Sequence, residues 1–230
     1  DTTGAGSAEL ALCSITVDSN VLLGHSERFM NPVESVVQAL RARQMGRQDS
    51  VNVVAIDGRS GAGKSTLANA IARDIGAGVV HGDDFYRDMP DVERRALSAV
   101  QGVDRYFDWQ RLRDEALLPL RDRRAARFRC FDWTVGHGLG EVIVVEPCAV
   151  VVVEGVYSAR PEFEHLIDVR VLVTIPQEQR VLRLDDRAGE RDRHAPEAWD
   201  AHWDAAECVY FETIRPPSDF DLIVVGDASL

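Results

Sequence analysis

A chain of 230 residues, 45% hydrophobic and 28% charged, has the length and balance of one globular α/β domain with a sizeable core and room for a small insertion. Its formal net charge of −12 excludes the broad basic surface that DNA or RNA phosphates require, so the expected partner is a small molecule and not a nucleic acid. No apolar run reaches membrane-spanning length, and the longest, 149–153, is strand-sized and closes on Glu154, so no membrane partner is expected.

The chain opens on small polar residues without a basic segment followed by an apolar one, unlike a secretory signal. Cys13, Cys130, Cys148 and Cys208 are scattered with no C-x-x-C pair, which indicates neither a zinc site nor a disulfide scaffold. Reduced thiols and a cytoplasmic location are the expectation. Residues 1–31 read as an N-terminal tail with an edge-strand candidate over 10–17, and 32–230 as the main domain. Helix 32–45 carries the apolar stripe Val33, Val36, Val37 and Leu40, which suits core packing.

Strand 51–57 leads into Gly58-Arg59-Ser60-Gly61-Ala62-Gly63-Lys64-Ser65, a complete G-x-x-x-x-G-K-[ST] loop, followed by Thr66. In such a loop glycines let backbone N–H groups turn toward phosphate oxygens. The lysine reaches the outer phosphates, and the Ser65 hydroxyl suits Mg²⁺. Helix 64–75, with Leu67, Ala68, Ile71, Ala72 and Ile75 at helical spacing, adds its N-terminal dipole to the anion site. Strand, loop and helix therefore occur in the order phosphate binding needs.

Strand 78–81 ends at His81-Gly82-Asp83-Asp84-Phe85-Tyr86. Carboxyl ends of strands line the ligand crevice in open α/β sheets, so one of these acids is placed to receive or orient a hydroxyl proton. Taken alone, the pair would read as solvated helix-capping acids; beside a P-loop the catalytic reading is preferred. Helix 109–121 follows, then two strand-like runs, 128–132 and 141–145, which form a hairpin insertion spanning 126–146. Strand 149–154 is four valines ending in Glu154, a buried-strand acid that needs a partner, for which Mg²⁺ is the expected one.

Strand 169–175, helix 177–187, helix 198–213 and strand 222–225 complete an alternating pattern, that of a parallel sheet covered on both faces. Arg180, Arg183, Arg187, Arg191 and Arg193 concentrate cations, with the last two continuing into a turn at Gly189 and a lid over 185–197. Such arginines can neutralise charge moving between phosphates, although Asp185, Asp186, Glu190 and Asp192 could pair with several of them. Of the four tryptophans, Trp133 in the hairpin suits stacking on an acceptor ring, and Trp199 and Trp203 suit helix packing.

In order along the chain, the P-loop, Asp83-x-Phe85-Tyr86, Tyr106-Phe107-Asp108, Phe131-Asp132-Trp133, Glu154-Gly155 and the arginine-rich segment resemble the uridine kinase family of P-loop kinases. Phosphoribulokinase and bacterial pantothenate kinase belong to the same broad group. The resemblance implies a P-loop three-layer fold and two ligands, ATP and Mg²⁺. It assigns Asp83 as the general base, Tyr86 and Phe107 to the acceptor site, and Asp108 to ribose hydroxyls. It further places Glu154 and Ser65 on the metal, and Arg187, Arg191 and Arg193 in a lid. Asp84, often a small polar residue in the family, would cap or hydrogen-bond the loop. The chain departs from the pattern at Phe131, where uridine kinases carry Tyr, and at His137, whose spacing from Asp132 is longer than that of the family's pyrimidine-reading histidine.

The expectation is therefore a kinase that transfers the γ-phosphoryl group of Mg·ATP to a small-molecule hydroxyl, with a nucleoside the leading acceptor and a homo-oligomer among the states open to it. A kinase for a sugar, a pantothenate-like acid or an antibiotic is the alternative within the class. A non-catalytic ATP-binding switch is the alternative outside it, disfavoured because no guanine-reading N-K-x-D occurs and a switch needs neither Asp83 nor a lid.

Overall fold

A computed structural model describes residues 31–44, 50–191 and 197–226, with the backbone alone for 44, 186–191 and 197–200. Five parallel strands form the central sheet: β1 (Asn52–Asp57), β2 (Gly78–His81), β5 (Val150–Glu154), β6 (Val169–Thr174) and β7 (Leu222–Val225), in the order β2-β5-β1-β6-β7. A separate antiparallel pair, β3 (Ala126–Phe131) and β4 (Leu139–Val145), is the expected hairpin.

The central strands are buried on both faces, which is why they read as continuous apolar runs rather than as alternating ones. Side-chain alternation still sorts them. Val53, Ala55, Val151 and Val153 face a core built with the helical run 109–121 and Phe128 of the hairpin. Val54, Ile56, Val150 and Val152 face α1 (Pro32–Gln44) and α2 (Lys64–Ile75). Val36 and Leu40 of the α1 stripe lie in that second core, as their spacing requires. A third cluster, mainly aromatic, gathers Tyr86, Tyr106, Phe107, Phe131, Tyr157 and Tyr210.

Several expectations need correction. The interval after β2 is more helical than the sequence suggested: a 3₁₀ turn over Gly82–Phe85, α3 (Asp91–Arg95) and α4 (Ala99–Arg105) precede the helix at 109. These elements are too short to show apolar periodicity, but α4 begins with a capping box in which Ser98 and Gln101 satisfy each other's backbone N–H, a signature present in the sequence. The helix at 109–121 is not uniformly α: α5 (Trp109–Arg111) and α6 (Leu118–Arg121) flank a π-helical stretch, Leu112–Leu117. Helix α7 (Gln177–Arg191) runs through Gly189, where a turn was expected; a glycine inside a helix costs about 1 kcal/mol, which neighbouring residues can outweigh. Helix α8 (Glu197–Val209) continues as a π-helical stretch to Ile214. The edge-strand candidate at 10–17 lies outside the described residues. Among the described residues no helix is long and apolar enough to cross a membrane.

Candidate active site

The sheet order makes the site. From β1 the chain crosses to β2 on one flank, and from β5 it crosses to β6 on the other, so the carboxyl ends of β1 and β5 border the switch-point crevice. The loop Gly58–Gly63 leaves β1 there. Gly58 has φ +145°, and a Cβ on it would sit 2.3 Å from the Val173 carbonyl oxygen, so no other residue fits. Gly61 and Gly63 also take positive φ, which turns the loop back into α2 at Lys64. The Lys64 ammonium is buried and donates to the Arg59 carbonyl at 3.1 Å, closing the loop on itself.

Parallel register sets Glu154 opposite Ile56 of β1 and His81 of β2. Its carboxylate, 5% exposed, accepts from the Ser65 hydroxyl, with both oxygens at 3.1 Å. His81 Nδ1 lies 2.6 Å from Glu154 Oε1, and that hydrogen bond holds the imidazole pKa above its ordinary value against the opposing effect of burial. The sequence alone assigns His81 no role, although it opens the acid-bearing stretch 81–86. A hydroxyl beside a carboxylate is a hard-oxygen donor set of the kind Mg²⁺ takes while keeping several waters, so the residues present fit that ion. Among the described residues no group of three or more His, Cys, Asp or Glu is placed to hold a metal ion.

Beyond β2, Tyr86 and Phe107 form an antiparallel bridge, and Arg87 N–H donates to Tyr106 O while Asp108 N–H donates to Phe85 O. The two acid-bearing motifs, Asp83-x-Phe85-Tyr86 and Tyr106-Phe107-Asp108, are thus sewn together at the edge of the sheet. Asp83 is exposed. Asp84 is half-buried, and burial raises its pKa, with Asp83 and Glu154 adding to the rise and His81 opposing it. The 3₁₀ turn Gly82–Phe85 that carries both acids has His81 at its N-cap position, with no capping bond from that side chain. Asp108 caps α5 by accepting from the Arg111 N–H at 3.2 Å.

Tyr86, Phe107 and Phe131 are buried rather than displayed. The Tyr86 hydroxyl accepts from Arg94 at 2.7 Å, and its ring is packed by Phe107, Phe131, Trp133 and Trp203. Trp133, 52% exposed, is the most exposed ring of this group. His137 is exposed on the hairpin turn. That turn is fixed by Asp132, whose carboxylate accepts from Thr134 Oγ1, Thr134 N and Val135 N; the Thr134 hydroxyl bond foremost holds it below the usual carboxylate range.

Arginine roles divide. Arg180 is buried and engaged by Asp204 of α8. Arg183 reaches the loop itself, with Nη1 3.4 Å from the Gly61 carbonyl oxygen. The side chains of Arg187 and Arg191, and all of Arg193, lie outside the described residues. Sequence reasoning missed Asp57, Asp204 and Glu207, which hold the P-loop from the protein side and carry no motif of their own.

The chain matches no family model. It is similar to uridine kinase from Borrelia duttonii (strain Ly), 25% identical over 178 residues that cover 76% of this chain and 86% of that protein. It is 26% identical over 191 residues to uridine kinase from Lactobacillus helveticus (strain DPC 4571), covering 80% and 90%. Among solved structures it resembles a protein from Silicibacter sp. TM1040 provisionally assigned as a fructose transport system kinase, with TM-score 0.67, 25% identity, and 85% and 99% of the two chains covered. D-glycerate 3-kinase from Cryptococcus neoformans shares the fold at TM-score 0.56 and 16% identity, with 85% and 96% covered. The crevice, the loop and these likenesses define a P-loop kinase, a phosphotransferase with an alcohol group as acceptor. Within that class its sequence is similar to the uridine kinases named above.

Proposed function

We propose that the protein phosphorylates a hydroxyl of a polyhydroxylated small metabolite, with a nucleoside the leading acceptor. The observation that carries the reading is the convergence, at the carboxyl ends of β1, β5 and β2, of the P-loop, the Ser65–Glu154 pair and the bridged motifs bearing Asp83 and Asp108. Mg·ATP supplies the γ-phosphoryl group. The loop Gly58, Ser60, Gly61, Ala62, Gly63, Lys64, Ser65 and Thr66 holds its phosphates, and Ser65 with Glu154 holds the metal, the latter directly or through water. Asp83, exposed and first after β2, takes the proton of the acceptor hydroxyl as that oxygen bonds to phosphorus and ADP leaves. Asp108 accepts from vicinal hydroxyls, and Trp133 stacks on the acceptor ring. Lys64 and the arginines of α7 and the segment beyond it, Arg187, Arg191 and Arg193, neutralise the transferring charge.

A free sugar is the second reading, and one feature favours it. Phe131 has no hydroxyl and is buried, while His137 projects from an exposed turn, so the two positions expected to read a pyrimidine offer little toward a base. The test is ATP consumption against a panel of nucleosides, sugars and small hydroxy acids. Phosphorylation of uridine or cytidine supports the first reading and of a hexose the second; acceptor-independent hydrolysis alone would refute both.

A further inference from the structure

Glu207 lies on α8, 147 residues from the P-loop it touches. Its carboxylate is 1% exposed and accepts from both the backbone N–H and the hydroxyl of Ser60. The N–H is within 3.1 and 3.2 Å of the two oxygens. Arg59 Nε stands 3.5 Å from the same carboxylate and Arg180 Nη1 3.7 Å from it. One turn earlier, Asp204 accepts from Arg59 at 2.7 Å and from Arg180. Two carboxylates of one helix therefore grip two consecutive P-loop residues and, through Arg180, the arginine-bearing helix α7. Helix α7 is pressed onto the same loop: a Cβ on Gly61 would meet the Arg180 carbonyl oxygen and Leu184 Cγ, each at 3.3 Å.

A buried carboxylate is tolerated when every oxygen is engaged, and removing one partner leaves the others' charges uncompensated. Here the engaged partners are the loop and the neighbouring helix rather than the core. We infer that Glu207 is a positioning residue for nucleotide binding, and that with Asp204 it forms a clasp setting the shape of the P-loop and the seating of α7 together. The clasp holds Ser60 from outside the loop, so a phosphate chain meets a loop already ordered. Less freedom is then lost on binding, which raises affinity without any contact between Glu207 and the nucleotide. The inference rests on the kinase reading for the identity of the ligand.

The test is calorimetric titration of a non-hydrolysable ATP analogue with Mg²⁺ into wild type, Glu207→Ala, Glu207→Gln, Ser60→Ala and the Glu207→Gln/Ser60→Ala pair. Glu207→Ala is expected to weaken analogue binding about tenfold, while the acceptor's KM stays within about twofold. Glu207→Gln keeps one acceptor oxygen for Ser60 but loses the charge and the second oxygen, so it should recover only part of the loss; the remaining effect and that of Ser60→Ala should be non-additive, because both act on one bond. Should Glu207→Ala fail to fold, the Gln and Ser60 cycle carries the test. Wild-type analogue affinity in folded Glu207→Ala, or additivity in the cycle, overturns the inference, as does an equal rise in the acceptor's KM. A wild type that binds the analogue but phosphorylates nothing sinks the kinase reading and leaves the clasp standing; one that binds no analogue sinks both.

Discussion

Asp57 closes β1 beneath the P-loop, fully buried, with four donors on its two oxygens. Gly58 N–H at 2.7 Å and Tyr157 N–H at 3.0 Å reach Oδ1; Ala159 N–H and the Tyr210 hydroxyl, both at 2.9 Å, reach Oδ2. Burial pushes its carboxyl up to about 6 from 3.8, against the pull of these donors and of Lys64. The folded state therefore binds the proton more tightly than the unfolded state does. Stability linked to this group is greatest at low pH and falls as pH rises through the window from about 4 to about 6. Between about pH 5 and about pH 7 the loss is roughly 1.3 kcal/mol. Asp57→Asn removes the titration and turns an amide toward two of the four donors, so it should also destabilise by roughly 2–5 kcal/mol at neutral pH. Urea unfolding of both proteins at the two pH values separates these effects, since charges elsewhere titrate alike in each and cancel in the difference. If wild type and Asp57→Asn show the same change in stability between the two pH values, the carboxyl is not titrating in this window and the reasoning fails.

Three further outcomes are expected. Asp83→Asn should retain ATP-analogue affinity and lose about a hundred- to ten-thousand-fold in transfer, whereas Asp84→Asn should keep most activity; the reverse order in a turnover assay would move the base to Asp84. Lys64→Ala should abolish detectable transfer with its circular dichroism unchanged, because the ammonium bonds to the loop and not into a core cluster, and turnover at the wild-type rate would contradict the P-loop assignment. Gly58→Ala must push a methyl group into the Val173 carbonyl from a strained backbone, so a loss of at least about 3 kcal/mol is expected; a thermal midpoint within a degree or two of wild type would show that β1 and β6 can part there.

How much of the site was legible depended on how local each part is. The P-loop is contiguous, and its glycines and lysine carry their reason with them. Glu154 was legible because a charge ending four valines has to be answered by something. His81 stood beside the acids that drew attention, yet its bond to Glu154 follows from the register of β2 on β5, which no short window contains. Tyr86 and Phe131 look like pocket residues in sequence; Arg94, a residue with no motif, satisfies the Tyr86 hydroxyl, and the rings pack on one another.

The sequence by itself determined the elements that short-range physics controls. Short continuous apolar runs placed the five strands, period-3.6 apolar spacing placed the long helices, and the G-x-x-x-x-G-K-[ST] run placed the phosphate loop. Tertiary structure alone decided which distant residues hold that loop. Asp57 finds Tyr210, Ser60 finds Glu207, and Arg59 finds Asp204 because the sheet order β2-β5-β1-β6-β7 and the packing of α8 bring segments more than a hundred residues apart into bonding distance. A buried carboxylate's partners are fixed by where the chain returns, and that return is a property of the whole fold.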